Sequence, residues 1–269
     1  MGVFEAIGKG IGLVAKNPKL FLLMIVISVV LILAGIPLLI AIFGPATMQA
    51  GGGAALTAEQ LSKINWGLFI LFILVSTIAQ IFVNSGLVGL IKDMVKTGGC
   101  KLGNMLGHAK KYFLNFLLFA VIMMLVVAVI VLIIAILGII AGAIGSKIAA
   151  IGVILGIIAG IIALAALVLM GIYGSFGPVV IVSEDKKALE AIKSIAGFLK
   201  GKMWKSIGLG TSYWAILILI TVVNNLIVGA GGAMAVVVQI ISGLLNMYIS
   251  LAYIASFMYF YNGNSVKKI

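Results

Sequence analysis

Six uninterrupted apolar runs, near residues 20–43, 66–91, 112–140, 149–174, 207–228 and 234–260, constrain this chain more than any other feature. About 20 helical residues, rising 1.5 Å each, cross the ~30 Å hydrocarbon core of a bilayer, and every run reaches that length. The runs are continuous rather than alternating, which selects helices over a membrane barrel. Composition agrees. Hydrophobic residues fill 64% of 269 positions, charged residues only 9%, and the mean hydropathy is +1.36, leaving too little polar surface to face water on all sides. The expected fold is all-α: one integral membrane domain over 1–269, with six transmembrane helices arranged as three hairpins.

Charge supplies an orientation. All eighteen basic residues are lysine. Sixteen fall in 1–19, 92–111, 183–206 and the tail from 261, and two, Lys63 and Lys147, fall on the opposite side of the runs. The lysine-rich side faces the cytoplasm by the positive-inside rule, which places both termini there. The net charge of +12 does not imply nucleic acid, because the forked guanidinium donors suited to phosphate backbones are missing and the lysines gather at span ends. Glu5, Lys9 and Lys16 interrupt the opening apolar residues, so the N-terminal stretch does not read as a signal peptide. The central parts of the spans carry no Asp, Glu, Lys or Arg, which argues against proton-coupled transport and voltage sensing. One cysteine, Cys100, and one histidine, His108, provide neither a disulfide framework nor a metal cluster, and no cofactor is expected.

Three similar segments precede the odd-numbered spans: "FEAIGKGIGLVAKNPKLF", "KLGNMLGHAKKYFLNF" and "ALEAIKSIAGFLKGKMWKSI". Each is amphipathic, contains glycine, ends in lysines and joins an aromatic residue to a long apolar run. They are expected to form cytoplasmic interfacial helices, with Lys9, Lys16, Lys110, Lys111, Lys200, Lys202 and Lys205 turned toward anionic headgroups. The third has a candidate cap in Ser183, followed by Glu184 and Asp185. The pattern divides the chain into units 1–91, 92–182 and 183–269, either by true triplication or because any positive-inside protein places lysines before those spans.

The stretch "YGSFGPVVIVSEDKKALEAIKSIAGFLKGKMWKSIGL" (residues 173–209), with "AKNPKLF" near the N-terminus, resembles a segment repeated across a group of six-span prokaryotic membrane proteins. That group includes the membrane domain fused to some glycerophosphodiester phosphodiesterases. The matching positions are Pro178, the Ser183-Glu184 turn, Glu190-Ala191-Ile192, Ser194 and Lys200-Gly201. The resemblance implies a multi-pass protein of the prokaryotic cell membrane with no chemistry of its own, since the phosphodiesterase activity of those proteins resides in a separate soluble domain.

Two further patterns stand out inside the spans. Gly152, Gly156 and Gly160 form a G-x-x-x-G-x-x-x-G row, and Gly138 and Gly142 repeat the spacing in the preceding span. Such rows let helix backbones approach closely, here by packing of spans three and four or, alternatively, by self-association. Thr77, Gln80 and Asn84 form a polar stripe in span two, and Gln239, Ser242, Asn246, Ser250 and Tyr253 form another in span six. Amides at that depth need partners, so Gln80 and Asn246 are expected in the bundle interior, joined by interhelical hydrogen bonds or lining a hydrated passage. His108 reads as a surface residue, and Glu184, Asp185 and Glu190 read as capping and charge balance rather than an acid pair.

These features point to a non-enzymatic membrane protein that organises lipid, or a membrane partner or second copy of itself, through its lysine-rich helices. The alternative is a channel or permease for a small uncharged or amphipathic solute.

Overall fold

The computed structural model describes residues 1–43, 64–99, 101–146, 148–228 and 233–265, so Lys63, Cys100, Lys147, Lys267 and Lys268 lie outside the described residues. Among the described residues seven helices follow in order: α1 (Val3–Lys16), α2 (Pro18–Phe43), α3 (Trp66–Thr97), α4 (Met105–Gly145), α5 (Ala149–Ser183), α6 (Ala188–Val228) and α7 (Ala233–Asn264). A 3₁₀ turn, Leu102–Asn104, leads into α4. No strand occurs among the described residues. The helices α2 to α7 are each long and apolar enough to cross a membrane, which makes the chain an all-α multi-pass membrane protein.

Local chemistry sets several boundaries. Asn65 caps α3, its Oδ1 accepting from the Leu68 amide at 3.1 Å. Gly98 ends the same helix with φ at +74°, a left-handed turn that glycine adopts without strain, while its N–H reaches the Met94 carbonyl. Between α1 and α2, Asn17 folds its side-chain amide onto the Leu13 carbonyl at 2.9 Å, and Pro18 opens the next helix. Proline suits a first helical position because its missing N–H has no partner there anyway.

That junction corrects one expectation. A separate amphipathic helix precedes only the first span. The second and third lysine-bearing segments continue without a break into α4 and α6, each 41 residues long. Neither segment contains a proline to interrupt the backbone hydrogen-bond ladder, so the helix propagates through it. Forty-one residues extend roughly 60 Å, about twice the thickness of a hydrocarbon core.

The core therefore forms where these helices converge, at the lysine-rich end. Buried side chains concentrate in the first turns of α4 and α6, the last turns of α3, α5 and α7, and the inner face of α1. Phe176 packs between Phe257, with ring centroids at 4.8 Å, and Phe198, at 5.3 Å. Close helix approach needs small residues here: a Cβ on Gly177 would strike the Phe119 ring, and one on Gly89 would strike His108. Toward the opposite end, only Ile42, Ile64 and Ala159 are buried among the described residues, and the spans expose leucine, isoleucine and valine to the surroundings. An aqueous protein could not carry such a surface. A bilayer accepts it.

Candidate functional site

Every lysine among the described residues lies in the converging half. The two-residue turn after α5 organises this end. Glu184 turns toward α7, where it accepts from the Tyr261 hydroxyl at 2.7 Å, and it pairs with Lys186. Asp185, held at φ +52°, turns the opposite way. Its carboxylate accepts from Tyr112 at 2.5 Å and Lys111 at 2.7 Å, both on α4, and from Lys92 of α3 at 3.3 Å. Lys92 is itself buried, donating to the Val182 carbonyl at 2.5 Å and to the Tyr112 hydroxyl at 3.2 Å. A buried ammonium without such partners would be costly, and this one has three. Partial desolvation works against ionisation of Asp185, but the hydrogen bonds from Lys111 and Tyr112 and the charge of Lys92 outweigh it and hold its carboxyl well below the usual carboxylate range.

The acidic pair thus does balance charge, but not as a cap on the following helix. Ser183 is the buried last residue of α5 rather than a cap, and α6 starts at Ala188 with Glu190 in its first turn. His108 is also not a free surface residue. Its ring packs over Gly89, and Nε2 lies 2.7 Å from Asp93 Oδ2 across the α3–α4 turn. The sequence separation of fifteen residues hides the pair, although a helix–turn–helix places the two on facing ends.

The glycine rows pack at one point only. Gly152 abuts Gly145 and the Ala141 carbonyl near the short α4–α5 turn. At Gly138, Gly142, Gly156 and Gly160 an added Cβ would meet nothing within 4 Å, so these four do not join α4 to α5. Instead the two helices face each other through larger residues, with an apolar cleft of about 500 Å³ between Met123, Val126 and Ile130 of α4 and Ala166, Leu169 and Met170 of α5.

The polar stripes are likewise placed differently from expectation. Thr77, Gln80, Asn84 and Gln239 are exposed, while Ser242 and Asn246 are half-buried. Thr77 and Gln80 thus face outward, whereas Asn84 borders a cleft with Phe116 of α4 and Ser175 of α5. Tyr253 reaches the interior, where its hydroxyl contacts that of Ser175 and its ring meets Tyr213 at 5.1 Å. Among the expected headgroup lysines, Lys9 pairs with Glu5 at 2.8 Å, Lys111 joins the Asp185 cluster and Lys202 lines a trough with Lys186. Lys16, Lys110, Lys200 and Lys205 are exposed at the same end.

A second cleft, of about 310 Å³, opens among α5, α6 and α7 beside Leu167, Gly171, Gly210 and Trp214. Its hydroxyls are already occupied: Ser175 donates to the Gly171 carbonyl at 2.6 Å, Ser206 to Lys202 at 3.0 Å and Thr211 to Ile207 at 2.9 Å. What the cleft presents is hydrocarbon. Comparison of the chain with protein-family models, with curated proteins and with solved structures finds no match.

Proposed function

We propose that this chain is a non-enzymatic membrane protein that organises lipid, with its lysine-rich end at the cytoplasmic leaflet of a prokaryotic cell membrane. The observation that carries this reading is the pair of apolar clefts, about 500 and 310 Å³, standing open between spans whose other end is closed by packed aromatic rings. Clefts of that lining accommodate acyl chains, and water gains nothing by entering them. The lysines above them supply the attraction to anionic headgroups that holds such lipids in register, each contributing about 1 kcal/mol near a charged leaflet. The outward faces of Gly138, Gly142, Gly156 and Gly160 and the uncovered amides of Gln80 and Asn84 support a further helix against the outer half, from a second copy or a membrane partner. Solute passage has less support, because the two amide stripes do not line a common route. The resemblance to the membrane domain of glycerophosphodiester phosphodiesterases fits the six-span layout.

The test is purification in mild detergent followed by mass spectrometry of retained lipid. The expected result is phospholipid retained in stoichiometric amount, with loss of the folded state on exhaustive delipidation. A delipidated protein that stays folded and passes an uncharged solute in proteoliposomes would overturn the proposal in favour of a permease.

A further inference from the structure

One feature of the lysine-rich end is built unlike its surroundings. Along α6, Ser194, Gly197 and Gly201 share a face and leave a floor without side-chain bulk, and a Cβ added at either glycine would meet nothing within 4 Å. The 184–186 turn walls this floor on one side, and Tyr261 with Asn264 at the end of α7 walls it on another, enclosing about 340 Å³. Resting on the lipid reading above, we propose that this trough is a binding site for a phosphate group of headgroup size.

The lining chemistry selects an anion. Glu184 is neutralised within the wall by Lys186 and the Tyr261 hydroxyl. The Lys202 carbonyl accepts from Ser206, but its ammonium meets no hydrogen-bond or ion-pair partner among the described residues and is the charge of the site left to a ligand. Ser194 accepts from Lys186 at 2.6 Å and keeps its own hydroxyl proton to donate. Lys205 continues the same helical face one turn beyond Gly201. Asn264, by contrast, is already engaged: its amide donates to the carbonyls of Met1 and Phe260. The Lys202 ammonium and the Ser194 hydroxyl beside an open floor, with Lys205 one turn further along the helix, match the oxygens of a phosphate monoester or diester.

Depth identifies the source as lipid. Trp204, 84% exposed, stands on α6 just beyond the trough, at the place in the helix where an interfacial indole belongs. From Trp204 to the end of α6 at Val228 is about 36 Å, a hydrocarbon core plus part of its interface. The trough therefore sits at headgroup level, directly outside the apolar slab.

The full chain in mild detergent is titrated with phosphatidylglycerol, phosphatidylcholine and glycerol 3-phosphate, and bound ligand is counted by native mass spectrometry. Phosphatidylglycerol is expected to be retained over phosphatidylcholine, and Lys202→Gln with Lys205→Gln to weaken that retention about thirtyfold. Lys193→Gln with Lys200→Gln, the same change in charge outside the trough, is expected to leave it unaltered. Gly201→Leu fills the floor while removing no lysine, and is expected to abolish the preference even where the double lysine variant folds poorly. Equal losses in the two double variants, or none in the first, would overturn the site while leaving the lipid reading standing. Binding of glycerol 3-phosphate in place of any lipid would overturn the lipid source. A wild-type chain that retains no lipid at all would sink the reading on which the site rests.

Discussion

Asp185 ties the turn after α5 to two helices, α3 and α4, through one carboxylate, and Lys92 completes the knot from inside. Replacing Lys92 with methionine removes the donor to the Val182 carbonyl and leaves Asp185 and Tyr112 without their buried partner. The expected loss is about 3 kcal/mol of stability, read by thermal unfolding in detergent. The pH dependence has a definite sign. An acid whose folded-state pKa is depressed contributes stability wherever the unfolded carboxyl is also ionised, above about pH 4, and loses it as pH falls through the folded value. Wild type should therefore lead Asp185→Asn in thermal midpoint at neutral pH, and the lead should close only well below pH 4. None of these pairings was legible from spacing. Lys92 and Asp185 are 93 positions apart, so Ser183-Glu184-Asp185 reads from sequence as a helix cap and only the fold reveals a clamp.

Among the elements, α1 behaves differently from its two counterparts. It docks along α7 in reverse: the Met1 amine donates to Asn264 Oδ1 at 3.2 Å, Gly10 lies against Ser256, and the Tyr248 hydroxyl donates to the Ile11 carbonyl at 3.1 Å. Gly10→Leu would force a side chain into the Ala252 carbonyl and Ser256. It should undock α1 at a cost of about 1–3 kcal/mol, seen as rapid cleavage of the first sixteen residues by a protease that leaves the wild-type segment intact. The three lysine-bearing segments look alike because amphipathicity, glycine and terminal lysines recur in all of them. What separates them is one residue, Pro18, and its effect on helix continuity was readable in principle from the absence of proline in the other two.

At the scale of the whole molecule, the apolar runs located the spans well, since burial in lipid requires continuous hydrophobicity and little else. They could not locate the contacts between spans, because leucine facing lipid and leucine facing leucine are chemically the same to a sequence pattern. For that reason Gln80 reads as an interior residue although it is exposed, while Asn246 is half-buried. Orientation is testable directly. With Cys100→Ser removing the native thiol, Lys101→Cys and Lys200→Cys should resist an impermeant maleimide added to intact cells and react once the membrane is opened. Labelling from outside would invert the arrangement.

Two of the helices, α4 and α6, run from the charged end to the far side without a joint. A stiff rod anchored near one end works as a lever: a small rotation about the aromatic fulcrum around Phe176 and Phe198 becomes a larger sweep at Gly145 and Val228.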